Sequence, residues 1–162
     1  MVNLFIANTD NEWFDFLSSQ VGLQEANFWQ PSGKTFRAVR EGELLVFRLK
    51  SPRNKIGGFG VFNSSTVLPL QTAWETFGNA NGAPSYEALQ TAIVQYHPHH
   101  DVGPATNIGC RILTQVTFLP SYLWIALPPH GHKILWGESA TLQRNPRDFS
   151  CGAGCRKQLK PH

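Results

Sequence analysis

The sequence predicts an α+β fold, a curved, partly closed mixed β-sheet or small barrel with two or three flanking helices. Three observations carry this expectation. Apolar runs of strand length, about five or six of them, recur along the 162 residues and are separated by turn-forming residues. Only two or three stretches show helical spacing. Gly57, Gly58 and Gly60 interrupt one of the strand-like runs, which suggests a bulge or a close backbone approach. Helices packed beside such a sheet let each element bury its apolar face.

Val2–Ala7 reads as a first strand, and Asn8, Thr9, Asp10 and Asn11 supply a turn and a cap for a short helix carrying Trp13, Phe14 and Leu17 on one side. From Asn27 to Lys34 regular structure breaks, because Pro31 and Gly33 punctuate a segment whose Phe28 and Trp29 are too apolar for a plain linker. Glu43–Leu49 and Ile56–Phe62 read as two strands joined by the polar turn Lys50–Lys55. Leu70–Phe77 and Pro84–Tyr96 look helical, the second beginning at Pro84 and Ser85 and placing Tyr86, Leu89, Ile93 and Tyr96 at helical spacing. After the loop His97–Pro104, Ile108–Leu119 is the best long strand, ended by Pro120. Leu123–Leu127 supplies a further short extended piece, Pro128–His132 a loop and Lys133–Trp136 a last strand. Residues 1–143 are expected to form a single domain, with 144–162 a basic tail or the start of a linker to an effector domain.

The net charge is only +3, but it is unevenly distributed. Between Lys34 and Lys55 stand Lys34, Arg37, Arg40, Arg48, Lys50, Arg53 and Lys55 against Glu41 and Glu43, and the segment from Lys133 onward is also basic. The remainder holds acids, with Arg111 as its single base. A chain so divided presents the basic face of a phosphate-backbone binder, although a solvated strand surface has the same signature. No run approaches the roughly 20 apolar residues that span a bilayer, and no signal-type start is present, so the expectation is a cytoplasmic protein without membrane contact. The three cysteines are an odd number for a disulfide framework, and Cys110 reads as a small core residue.

Metal chemistry has weak support. His97, His99 and His100 cluster, and Cys151 and Cys155 stand close together, but neither group has the paired short couples of a zinc site, so no metal and no cofactor are assigned. His99 and His100 remain candidate phosphate contacts. Hydrolytic motifs are missing, among them Gly-x-Ser-x-Gly, His-Glu-x-x-His and a phosphate-binding glycine loop, so the chain is not expected to be an enzyme by itself. Two loops are better candidates. Gln30, stiffened by Trp29 and Pro31, offers a planar amide that can read a base edge, while Ser32, the Gly33 amide, Lys34 and Arg37 can take phosphates. Arg53 beside Pro52, with Asn54 and Lys55, sits at a hairpin tip suited to clamping a backbone.

Asn27–Gly33, Ser51–Asn54 with Gly57, Gly58 and Phe59, and Ile108–Cys110 together resemble the sulfur-binding domains that recognise phosphorothioate DNA. These PUA/SRA-like readers are often found N-terminal to an HNH nuclease domain in modification-dependent restriction enzymes. The resemblance implies double-stranded, phosphorothioate-modified DNA as partner, a parent HNH endonuclease, and a pocket apolar at the sulfur and cationic nearby. Pro52 and Arg53 would form it, with Asn54 beside them and His99, His100 or Pro104 as further walls. Sulfur sheds water more readily than oxygen, and an oxygen forced against that wall would lack hydrogen bonds at a cost of about 1–3 kcal/mol. Related PUA-like readers of methylated or hydroxymethylated bases suggest a second reading, base flipping into an aromatic pocket at Trp29, Trp124 or Trp136. A small metal-dependent enzyme using His97, His99 and His100 is a third.

Overall fold

The computed structural model describes residues 2–127 and 139–142. It consists of β1 (Val2–Thr9), α1 (Asn11–Ser18), β2 (Glu25–Asn27), β3 (Leu44–Leu49), β4 (Lys55–Pro69), α2 (Leu70–Phe77), a 3-10 turn (Gly78–Asn81), α3 (Tyr86–Val94), β5 (Asn107–Phe118), a second 3-10 turn (Ser121–Leu123), β6 (Ile125–Ala126) and β7 (Ser139–Leu142). The expected α+β class stands, with a mixed sheet that is open among the described residues and flanked there by three α-helices. Its order is β2-β5-β4-β3-β1-β7, with β6 paired to β4 and no closing pair among the described residues.

Alternation builds the sheet's inner face. Phe5, Ala7 and Thr9 of β1 lie opposite Leu45, Phe47 and Leu49 of β3 in a parallel register, and all six are buried. A strand with one buried face needs this period of two. Trp13, Phe14 and Leu17 of α1 cover that face, and Phe28, Phe62 and Leu113 complete the cluster. The second cluster joins Leu70 and Ala73 of α2, Leu89 and Ile93 of α3, and Ile108 and Cys110 of β5. Trp29 packs against both.

β4 runs well past the expected end at Phe62. Beyond that point Ser64, Ser65 and Thr66 pair with β5 through Ser64↔Ile112, Ser65↔Arg111 and Thr66↔Cys110. Register shifts occur between Phe59 and Val61 and between Phe62 and Ser64. Gly58 is required by proximity, since a Cβ there would drive into the Thr117 carbonyl oxygen. β2 was not expected; it is a three-residue strand paired to β5 by Glu25↔Thr114, Ala26↔Leu113 and Asn27↔Ile112.

Helix α3 starts where Ser85 predicts, its Oγ accepting from Ala88 N at 3.1 Å, but it ends at Val94, so Tyr96 leaves the helix. Asp10 occupies the N-cap position of α1 without capping it, because its carboxylate is engaged elsewhere. Leu123–Leu127 splits into the second 3-10 turn and β6. The expected Pro128–His132 loop, Lys133–Trp136 strand and 144–162 tail, with Cys151 and Cys155, lie outside the described residues. Among the described residues no helix is long and apolar enough to cross a membrane.

Candidate ligand-binding cavity

Two polar clusters meet around a cavity of about 410 Å³ whose walls include Phe5, Trp13, Phe28, Trp29 and Phe36. The first cluster is a product of the parallel register. Thr9 and Leu49 are paired, so the residues that follow them, Asp10 and Lys50, leave the sheet side by side, and Lys50 N donates to Thr9 O at 3.3 Å. The Lys50 ammonium forms an ion pair with Asp10 Oδ1 and donates to the Tyr96 hydroxyl at 2.7 Å. That hydroxyl lies 2.8 Å from each Asp10 oxygen. Burial disfavours the charge on Lys50, but its bonds to Asp10 and Tyr96 and the attraction of Asp10 outweigh this and hold its pKa above the ordinary lysine value. Burial, opposed by the Lys50 hydrogen bond and assisted by Asp10, raises that of Tyr96.

The second cluster is centred on Arg111 of β5. Its guanidinium carbon lies 3.9 Å from the centre of the Phe36 ring and 5.7 Å from that of Phe28. This is a cation–π geometry that suits a weakly hydrated planar cation. Nη2 donates to Gln30 Oε1, while Nε is buried and donates to nothing. Arg111 has no carboxylate partner among the described residues, and desolvation pulls its pKa well below the ordinary arginine value, to about 10, which leaves it a cation at neutral pH.

Gln30 is held from the other side as well, since Nε2 donates to Ser32 Oγ at 2.9 Å and to the Ser32 and Lys34 carbonyls at 3.3 Å. The expected base-reading amide is therefore occupied internally, where it orients Arg111. Gly109 permits this arrangement. Gln30 and Gly109 exchange backbone bonds of 2.8 and 3.0 Å, and a Cβ at Gly109 would lie 2.7 Å from Gln30 Cγ. His97 Nε2 lies 2.9 Å from Pro31 O and fastens the same loop to the segment after α3.

Of the residues singled out from sequence, Trp29, Gln30, Pro31 and Ser32 line this cavity. Gly33, Lys34, Arg37, Pro52, Arg53, Asn54, Lys55, His99, His100 and Pro104 do not. Arg53 donates both terminal nitrogens to Asp15 at 2.7 Å each and lies 5.3 Å from the Trp124 ring. The hairpin tip bearing it includes a cis Ser51–Pro52 peptide and Asn54 at positive φ. No group of His, Cys, Asp and Glu suited to a metal forms among the described residues.

Sequence reasoning missed Asp10, Lys50, Tyr96 and Arg111 as site residues. Arg111 carried a signal, because a lone arginine inside an otherwise apolar strand must be paired or functional. Asp10 and Lys50 carried none individually, since only the pairing of β1 with β3 brings them together.

No protein-family profile and no curated protein matches the chain. Similarity is found among solved structures. A point mutant of the ASCH protein from Zymomonas mobilis superimposes with a TM-score of 0.52 at 10% identity, over 76% of each chain. The chain shares its fold with that ASCH protein. The unsubstituted ASCH protein from Zymomonas mobilis gives a TM-score of 0.49 at 12% identity, over 76% of this chain and 73% of that one. A likeness at this identity extends to the fold alone, and the α+β class expected from the sequence stands.

Proposed function

We propose that this ASCH-fold chain binds nucleic acid and takes a single base, flipped out or unpaired, into the cavity of about 410 Å³. The observation that carries this reading is the cavity's composition. Aromatic walls suit a planar ring, Arg111 and Lys50 donate, and Asp10 accepts. Readers of flipped bases combine stacking with edge hydrogen bonds in this way, and the volume falls in the range of roughly 300–1,000 Å³ usual for small-molecule sites. Lys34, Arg37 and Arg40 are exposed on the segment that supplies Ser32, Phe36 and Ala38 to the cavity wall, within reach of a strand backbone.

The test is fluorescence anisotropy with single strands and matched duplexes that are unmodified, base-methylated, base-hydroxymethylated or phosphorothioated. Preference for a modified base, lost in Phe36→Ala, is the expected result. Equal affinity for every strand at moderate salt overturns base reading. Sulfur recognition is a separate arm. It requires Arg53 to exchange Asp15 for the modified phosphate, so a phosphorothioate preference that disappears in Arg53→Ala would favour the hairpin tip over the cavity.

A further inference from the structure

We infer that the cavity ligand carries an anionic oxygen and that Arg111 is its receptor. This inference rests on the base-binding reading and specifies its chemistry. Arg111 is a cation withdrawn from water with no acid to balance it among the described residues. Its bonding partner, Gln30 Oε1, is neutral, and its Nε–H has no acceptor. Burying a donor without an acceptor is costly, and burying an uncompensated charge more so. Phe36 compensates only in part, because a ring face attracts the cation without accepting a directional hydrogen bond.

The geometry limits what can complete the site. Phe36 covers one face of the guanidinium, Gln30 holds one terminal nitrogen and Nε is sealed from solvent, so a ligand in the cavity meets the guanidinium in its plane at the remaining edge. An oxygen of a carboxylate or phosphate fits such an edge-on approach. The second cluster behaves differently, since Lys50 already has Asp10 as its counter-ion. The cavity therefore has one compensated pole and one uncompensated pole, and the ligand's negative charge belongs at the Arg111 end. That charge can come from the phosphate of a nucleotide or from a carboxylate on the ring, and matched ligands separate the two sources.

The experiment is calorimetric titration of the chain at constant ionic strength with neutral and charged pairs: uracil against uracil-6-carboxylate, uridine against its 5′-monophosphate, adenosine against its 5′-monophosphate, and inorganic phosphate alone. In at least one pair the charged member should bind about tenfold or more tightly, as expected for a charge-assisted bond in a desolvated site. The pair that responds identifies the source. Arg111→Gln should abolish the difference, and Arg111→Lys, which keeps the charge but loses the fork, should restore only part of it. Thermal melts establish that each variant folds, and the wild-type comparison stands without them. Equal affinities within every pair, or no binding of any ring at millimolar concentration, overturns the inference. If charged rings bind but no oligonucleotide does, the nucleic-acid reading falls and this one survives.

Discussion

At the scale of single residues, the titrating groups of the cavity divide by the sign of their shifts. Lys50 and Tyr96 both have folded-state pKa values above their ordinary ones. Each therefore contributes stability that is fully present below its unfolded value, about 10 for both side chains, and lost as pH rises through the folded value. Stability should be level in this respect through neutral pH and decline above about pH 10. Arg111 has the opposite sign, so its burial penalty is present at neutral pH and relaxes as pH rises past about 10. Urea denaturation from pH 7 to 11 measures the net effect, and Tyr96→Phe should make the alkaline decline shallower; an unchanged slope would show that Tyr96 contributes nothing to it. Composition could not separate these roles, because Lys50 looks like one more base in a basic stretch until its neighbours are known.

The elements that hold the cavity open depend on a few buried polar contacts. Asn27, on β2, donates to Asn81 Oδ1 at 2.9 Å and accepts from Arg111 N at 3.1 Å. Asn81 in turn donates to Ala73 O and Gly78 O at 3.1 and 2.9 Å, and its carbonyl accepts from Trp29 Nε1 at 2.9 Å. This chain of bonds fastens α2 and the turn after it to the β2–β5 edge. Asn27→Leu should lower unfolding free energy by about 2–4 kcal/mol, since it strands the Asn81 oxygen and the Arg111 amide in the interior; chemical denaturation gives the value, and a loss below about 0.5 kcal/mol would refute the account. Gly109→Ala should cost about 1–3 kcal/mol by overpacking and, through its push on Gln30, also weaken ligand binding. The sequence showed most of the strands and helices around this region, because apolar periodicity is local. It did not show β2, whose three residues are too short for a period and are held by β5.

For the whole molecule, the proposed function makes charge the source of affinity and topology the source of the cavity. Lys34→Ala and Arg37→Ala should weaken nucleic-acid binding nearly uniformly across sequences, each reducing the log–log salt slope by about 1, while leaving base preference intact. Anisotropy across a salt series measures this, and a changed base preference would place those side chains at the ligand instead. The basic stretch was visible in the sequence, but its partial neutralisation by Asp10 and Asp15 was not, since those acids lie about 40 positions away in the chain. The parallel β1–β3 pair has one more consequence. Lys50 meets Asp10 only if Thr9 stands opposite Leu49, so a slip of a single residue would separate the charges and turn Leu45, Phe47 and Leu49 outward together. Misaligned chains would thus lose the ion pair at the cavity and expose their core in the same step, so that one register error is penalised twice.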